Sequence, residues 1–98
     1  MYNRNEIEKN LGLFESSLNE VFAKLILDYS HPLLRERAEV TLELADHVKY
    51  SLERYKNDPY ISGVIKKIDA YQLRFDGIKS NFQLKNSDLI AKPKTIFN

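Results

Sequence analysis

Apolar residues recur along this chain in alternating steps of four and three, in three blocks. Ile7, Leu11, Phe14, Leu18, Val21 and Leu25 form the first; Leu34, Ala38, Thr41, Ala45, Val48, Leu52 and Tyr55 the second; Ile61, Val64, Ile68, Tyr71, Phe75, Ile78 and Phe82 the third. Steps averaging 3.5 residues draw one apolar seam along each helix and favour near-parallel or near-antiparallel packing with a left-handed supercoil. The pattern predicts an all-α, up-down-up three-helix bundle, each helix about 24 residues and ~36 Å long. Ala38, Thr41 and Ala45 make the middle of the second helix slim, so large neighbours such as Phe14 or Phe75 fill the space there. Phe14, Tyr71, Phe75 and Phe82 are therefore read as core.

The helix ends are marked by polar residues and prolines. Asn5 followed by Glu8 has the spacing of a capping box, in which Asn accepts from an orphan amide and Glu reaches back. The first helix then runs to about Asp28. Pro32 suits the first turn of the next helix, which Ser30 or His31 caps; Asp58 and Pro59 repeat the device for the third. Asp76 and Gly77 form a turn signal inside an unbroken heptad. Glycine there costs ~1 kcal/mol relative to alanine, which burial of Phe75, Ile78 and Phe82 offsets, so the third helix is read through to about Asn81. Asn86, Ser87 and Asp88 then introduce a short fourth helical segment before Pro93, and the last residues read as a tail. The expected organisation is a bundle domain, 1–86, and a C-terminal tail, 87–98, with room to fold back on it.

A chain of 98 residues permits one small domain, and 43% hydrophobic with 30% charged residues fits neither a disordered segment nor a membrane span. Arg4, Glu6, Glu8 and Lys9 near the start argue against a secretory signal, and a cytoplasmic location is the simplest expectation. With no cysteine, disulfides, thiolate metal sites and cysteine nucleophiles are excluded. The net charge of +1 hides a division: residues 1–58 hold eight Lys or Arg against eleven Asp or Glu, giving −3, and residues 59–98 hold seven against three, giving +4. Lys66, Lys67, Arg74 and Lys79 form a candidate basic face. Its cations suit an acidic partner or a phosphate backbone, but the expected arrangement sets Lys67 and Arg74 opposite Glu8 and Glu15 as exposed ion pairs.

Candidate chemistry is concentrated on the second helix. Glu43, His47 and Ser51 are spaced by four and share one face, yet nothing in the sequence supplies an oxyanion hole or a nucleophile elbow. Two histidines, His31 and His47, lie about 24 Å apart on a straight helix and cannot share a zinc ion. Glu36, Glu39 and Glu43 read as a solvated face, and neither a metal nor a cofactor is expected. The run His47, Val48, Lys49, Tyr50 resembles the phospho-accepting stretch of histidine phosphotransfer domains, which are helical bundles of about this size. That resemblance implies a phospho-accepting His47. It covers only a few residues, its lysine falls two places after the histidine instead of three, and Tyr50 stands near the usual glycine, so phosphotransfer is kept as a minor alternative. Nucleic-acid binding is disfavoured because the second helix is acidic and Asp69 and Asp76 dilute the third.

Surplus apolar residues supply the positive clue. Phe22, Ile26, Leu27, Leu33, Val40 and Leu44 lie off the seams at one end of the bundle, where Leu89, Ile90, Ile96 and Phe97 also arrive. They form either a second core closed by the tail or a partner surface. By elimination the chain reads as a non-catalytic protein-binding module of the immunity or inhibitor type. The alternative is a self-assembling adaptor or structural protein whose copies form an intermolecular helical bundle, a homo-oligomer.

Overall fold

The computed structural model describes residues 2–97, with side chains described through Leu84. Three helices pack together, with no strand among the described residues: α1 (Arg4–Leu27), α2 (Pro32–Leu52), a single 3₁₀ turn (Glu53–Tyr55) and α3 (Pro59–Phe97). The all-α three-helix bundle expected from the heptads is the fold.

Each start follows from local chemistry. Asn3, not Asn5, caps α1: its Oδ1 accepts from the Glu6 amide at 3.2 Å. The asparagine-to-glutamate spacing occurs twice, and Glu8 is drawn instead to Arg4 at 3.3 Å. At α2, the His31 Nδ1 accepts from the Leu34 amide at 3.4 Å and Pro32 takes the first turn. Asp58 serves α3, with Oδ1 accepting from the Tyr60 amide and its carbonyl from Ser62, both at 2.9 Å. The same carboxylate accepts from the Tyr2 hydroxyl, and the Tyr2 ring lies against Tyr55 and Tyr60, with centroids 5.2 and 6.2 Å away. The chain start is thereby tied to the α2–α3 connection.

None of the twenty seam residues is exposed. The core divides into two clusters. One joins Leu18, Val21, Phe22 and Leu25 of α1 to Ala38 and Leu42 of α2 and Phe75 of α3; the other joins Ile7 to Ala45, Leu52, Ile61, Val64 and Ile68. The second half of α1 thus meets the first half of α2 and the middle of α3, which sets the helices up, down, up. Phe75 fills the level of Ala38, and Phe14 packs against the cluster that contains Ala45, as the slim middle of α2 demands.

The C-terminal part of the chain differs from expectation. α3 continues past Asn81 to Phe97 as one helix of 39 residues, in place of a third helix that ends near Asn81 and a separate short fourth segment. Gly77 is no turn: no glycine has positive φ, and a Cβ there would meet nothing within 4 Å. The local stop signals around Gly77 and Asn86–Asp88 are weaker than continuation of a helix already nucleated, since each added residue there contributes another backbone hydrogen bond, which only Pro93 further on cannot donate.

Candidate binding surfaces

The structure divides the predicted apolar partner surface. Phe22 leaves it altogether: it is 0% exposed and stacks on Phe75 with centroids 6.1 Å apart and planes 12° from parallel. Ile26 and Leu27 are exposed and border a hollow of about 300 Å³ at the α1–α2 connection, together with Tyr29, Ile78 and Phe82. Leu33, Val40 and Leu44 follow a different course. They are 68, 48 and 53% exposed and lie along one outward line of α2. The side chains of Leu89, Ile90, Ile96 and Phe97 lie outside the described residues. Exposed Leu13 and Leu73 were not singled out in the sequence, although both interrupt the polar side of a heptad.

Beside the α2 line runs an acidic one. Glu36, Glu39, Glu43, Asp46 and Glu53 are all exposed, and among the described residues none of them forms an ion pair. Nearby cations are already engaged. The Lys49 ammonium lies 2.7 Å from Asp69 on α3, whose carboxylate accepts its hydrogen bond and raises its pKa above the ordinary lysine value. Arg37 pairs across the bundle with Glu20 at 3.6 Å. The outer face of α2 therefore carries carboxylates that form no ion pair among the described residues, with aliphatic side chains beside them.

The Glu43, His47, Ser51 line does not assemble as a catalytic set. Ser51 donates to the Val48 carbonyl at 2.7 Å, and no side-chain hydrogen bond joins it to His47 among the described residues. His47 and Tyr50 border a shallow, open hollow of about 480 Å³ with Glu43 and Glu53. Lys49, the lysine that follows His47 in the phosphotransfer-like stretch, pairs with Asp69. His31 acts as the α2 cap. No group of three or more His, Asp or Glu side chains converges as metal ligands would, and no helix is long and apolar enough to cross a membrane, among the described residues.

The basic candidates are all exposed but do not share one face. On a single helix at ~100° per residue, Lys79 falls ~120–140° round α3 from Lys67 and Arg74. Lys67 pairs with Glu15 at 4.0 Å, not with Glu8. Arg74 donates to Asn19 at 3.0 Å and spreads its guanidinium over the Phe22 and Tyr71 rings, 5.2 and 5.5 Å from their centroids, instead of pairing with Glu15. Lys66 and Lys79 form no ion pair among the described residues. Between α1 and α3 lies a groove of about 460 Å³ that the sequence did not reveal, flanked by Gly12 and Gly63, with Glu15 and Lys67 on its rim. A Cβ at either glycine would meet nothing within 4 Å. The hydroxyl of Tyr60, at the same groove, is buried with no well-formed hydrogen bond among the described residues, and burial, with the nearby Glu8 charge, raises its pKa.

No known family, curated protein or solved structure matches this chain.

Proposed function

We propose that this chain is a non-catalytic protein-binding module of the immunity or inhibitor type, acting in the cytoplasm, with the outer face of α2 as its recognition element. The observation that supports this reading is the coincidence, along the exposed side of α2 and the turn that follows it, of Leu33, Val40 and Leu44 with five carboxylates that form no ion pair among the described residues. Isolated exposed aliphatics are ordinary, and so are isolated surface acids. A line of both suits a partner surface that is basic at its rim and apolar at its centre, where charge steers encounter and apolar burial provides affinity. The bundle beneath α2 is packed and presents the face without rearrangement.

Affinity capture from the native cell, with the wild type beside a Val40→Lys, Leu44→Lys variant, tests the reading. The variant is expected to lose the captured partner while keeping its helical circular dichroism and melting curve. Retention of the partner by this variant, together with its loss on Lys79→Glu, would place recognition elsewhere.

A further inference from the structure

The groove between α1 and α3 and the outer face of α2 point in opposite directions, and they match. Along the groove flank of α3, Gly63, Ala70 and Gly77 recur every seven residues, with Lys67 and Arg74 between them. Along α2, Leu33, Val40 and His47 recur every seven residues, with Glu36 and Glu43 between them. One set is small where the other is large, and it carries cations where the other carries carboxylates, with Glu8 and Glu15 on the α1 side of the groove and Lys67 already paired with Glu15. Laid antiparallel, Leu33 comes opposite Gly77, Val40 opposite Ala70 and His47 opposite Gly63. The same register brings Glu36 to Arg74 and Glu43 to Lys67. A shared seven-residue period lets side chains of one helix enter the spaces of another over several turns.

We propose that a second copy of this chain docks its α2 into the α1–α3 groove, so that copies associate head to tail. The proposal rests on the reading of the outer face of α2 as a binding surface and names an occupant for it. Two observations favour this occupant. The glycines are not small in order to pack internally, since open space lies in front of Gly12, Gly63 and Gly77. The acidic face of α2 would also repel its own image in a symmetric α2-to-α2 contact, whereas on the groove flank Arg74 forms no ion pair among the described residues and Lys67 holds Glu15 only at 4.0 Å, so both can turn to Glu36 and Glu43. A strip the length of α2, ~32 Å, and half the circumference of a helix wide, ~17 Å, covers ~550 Å² per copy, or ~1,100 Å² in total, just below the range of stable interfaces. Association is therefore concentration-dependent. Because the two surfaces differ, the contact is heterologous and each copy leaves one of them free for the next.

Sedimentation velocity of the full chain across a wide concentration range tests this. The wild type is expected to rise in weight-average mass beyond a dimer, with the association several-fold weaker in high salt. Gly63→Leu with Ala70→Leu fills the groove, Leu33→Asp with Val40→Asp breaks the α2 face, and each pair alone should be monomeric with a native melting curve. Mixed, the two proteins should form a one-to-one dimer and stop, since the first still offers α2 and the second still offers the groove. Charge exchange gives a second route that leaves packing intact: Glu43→Lys and Lys67→Glu should each weaken assembly several-fold, and the double variant should recover it. A wild type monomeric at every concentration, a groove-filled variant that still assembles, or a mixture that stays monomeric overturns the head-to-tail contact. A monomeric wild type whose α2 variants still lose a different captured protein would overturn self-association alone and leave the protein-binding reading standing.

Discussion

Replacing Phe22 with alanine separates core from surface more sharply than any other single change. Phe22 is fully buried, lies 6.1 Å from Phe75 and 6.3 Å from Tyr71 between ring centroids, and carries the Arg74 guanidinium on its ring. Truncating a buried phenylalanine costs ~3–5 kcal/mol, from lost transfer energy and the cavity left behind. A domain of this length has ~5–15 kcal/mol in total, so the variant loses roughly a fifth or more of its stability. At ~4–8 °C per kcal/mol for a small domain, the melting temperature falls by roughly 12–40 °C. Leu44→Ala is the matched control. Its side chain is 53% exposed, and half of a typical aliphatic burial is below ~1.5 kcal/mol. Thermal unfolding followed by helical circular dichroism reads both. Equal losses in the two variants would refute the assignment of Phe22 to the core.

Three further outcomes are expected. Ile68→Asp, which places an unpaired charge at a position 4% exposed, should abolish cooperative unfolding, while Lys66→Asp leaves the melting curve nearly unchanged; equal tolerance of both would show the third seam misplaced. Gly77→Ala should stabilise the chain by ~0.5–1 kcal/mol in chemical denaturation, because the new methyl meets open space within a helix; destabilisation would mean a turn at Gly77. The hydrogen bond from Tyr2, and then that from the Tyr60 amide, hold the Asp58 carboxyl below its ordinary pKa. A depressed folded-state pKa contributes stability that is present above the unfolded value of about 4 and lost as pH falls through the folded one. The acid-side decline in melting temperature should therefore be shallower in Asp58→Asn than in the wild type; parallel declines would remove this carboxylate from the acid response.

The heptads located the bundle because burial follows periodicity, and the prolines located the starts of α2 and α3 because Pro32 and Pro59 fit only a first turn. What periodicity concealed was the width of the buried stripe. Phe22 sits next to Val21, and Leu42 next to Thr41, where a strict four-three count selects one of each pair. A helix in a globular bundle buries more than a two-position seam, so both neighbours enter the core. Thr41 is instead half-buried, with its hydroxyl donating to the Arg37 carbonyl at 2.7 Å. The end of α3 was illegible for another reason: Gly77 and Asn86–Asp88 are local signals, and local signals yield to a helix that is already growing. The α1–α3 groove was written in the spacing of Gly63, Ala70 and Gly77, but small residues reveal a groove only once a neighbouring helix supplies its other wall.

The division of the core into two clusters bears on how the native protein breathes. At one mouth, Tyr2, Tyr55 and Tyr60 close over Asp58; at the other, the Phe22–Phe75 stack and the Tyr29–Phe82 contact, with centroids 4.7 Å apart, hold the helices together. Sub-global opening follows such boundaries, because each cluster is a contiguous cooperative unit. Parting three tyrosines from one aspartate releases the first helical turn and the α2–α3 connection while the phenylalanine stack stays shut. Amide protons in those segments then exchange with solvent through this partial opening, and those of Leu18–Leu25 wait for the second cluster to part. All three helices thread both clusters, so the turns where one cluster gives way to the other are reached by neither opening alone and carry the slowest-exchanging amides.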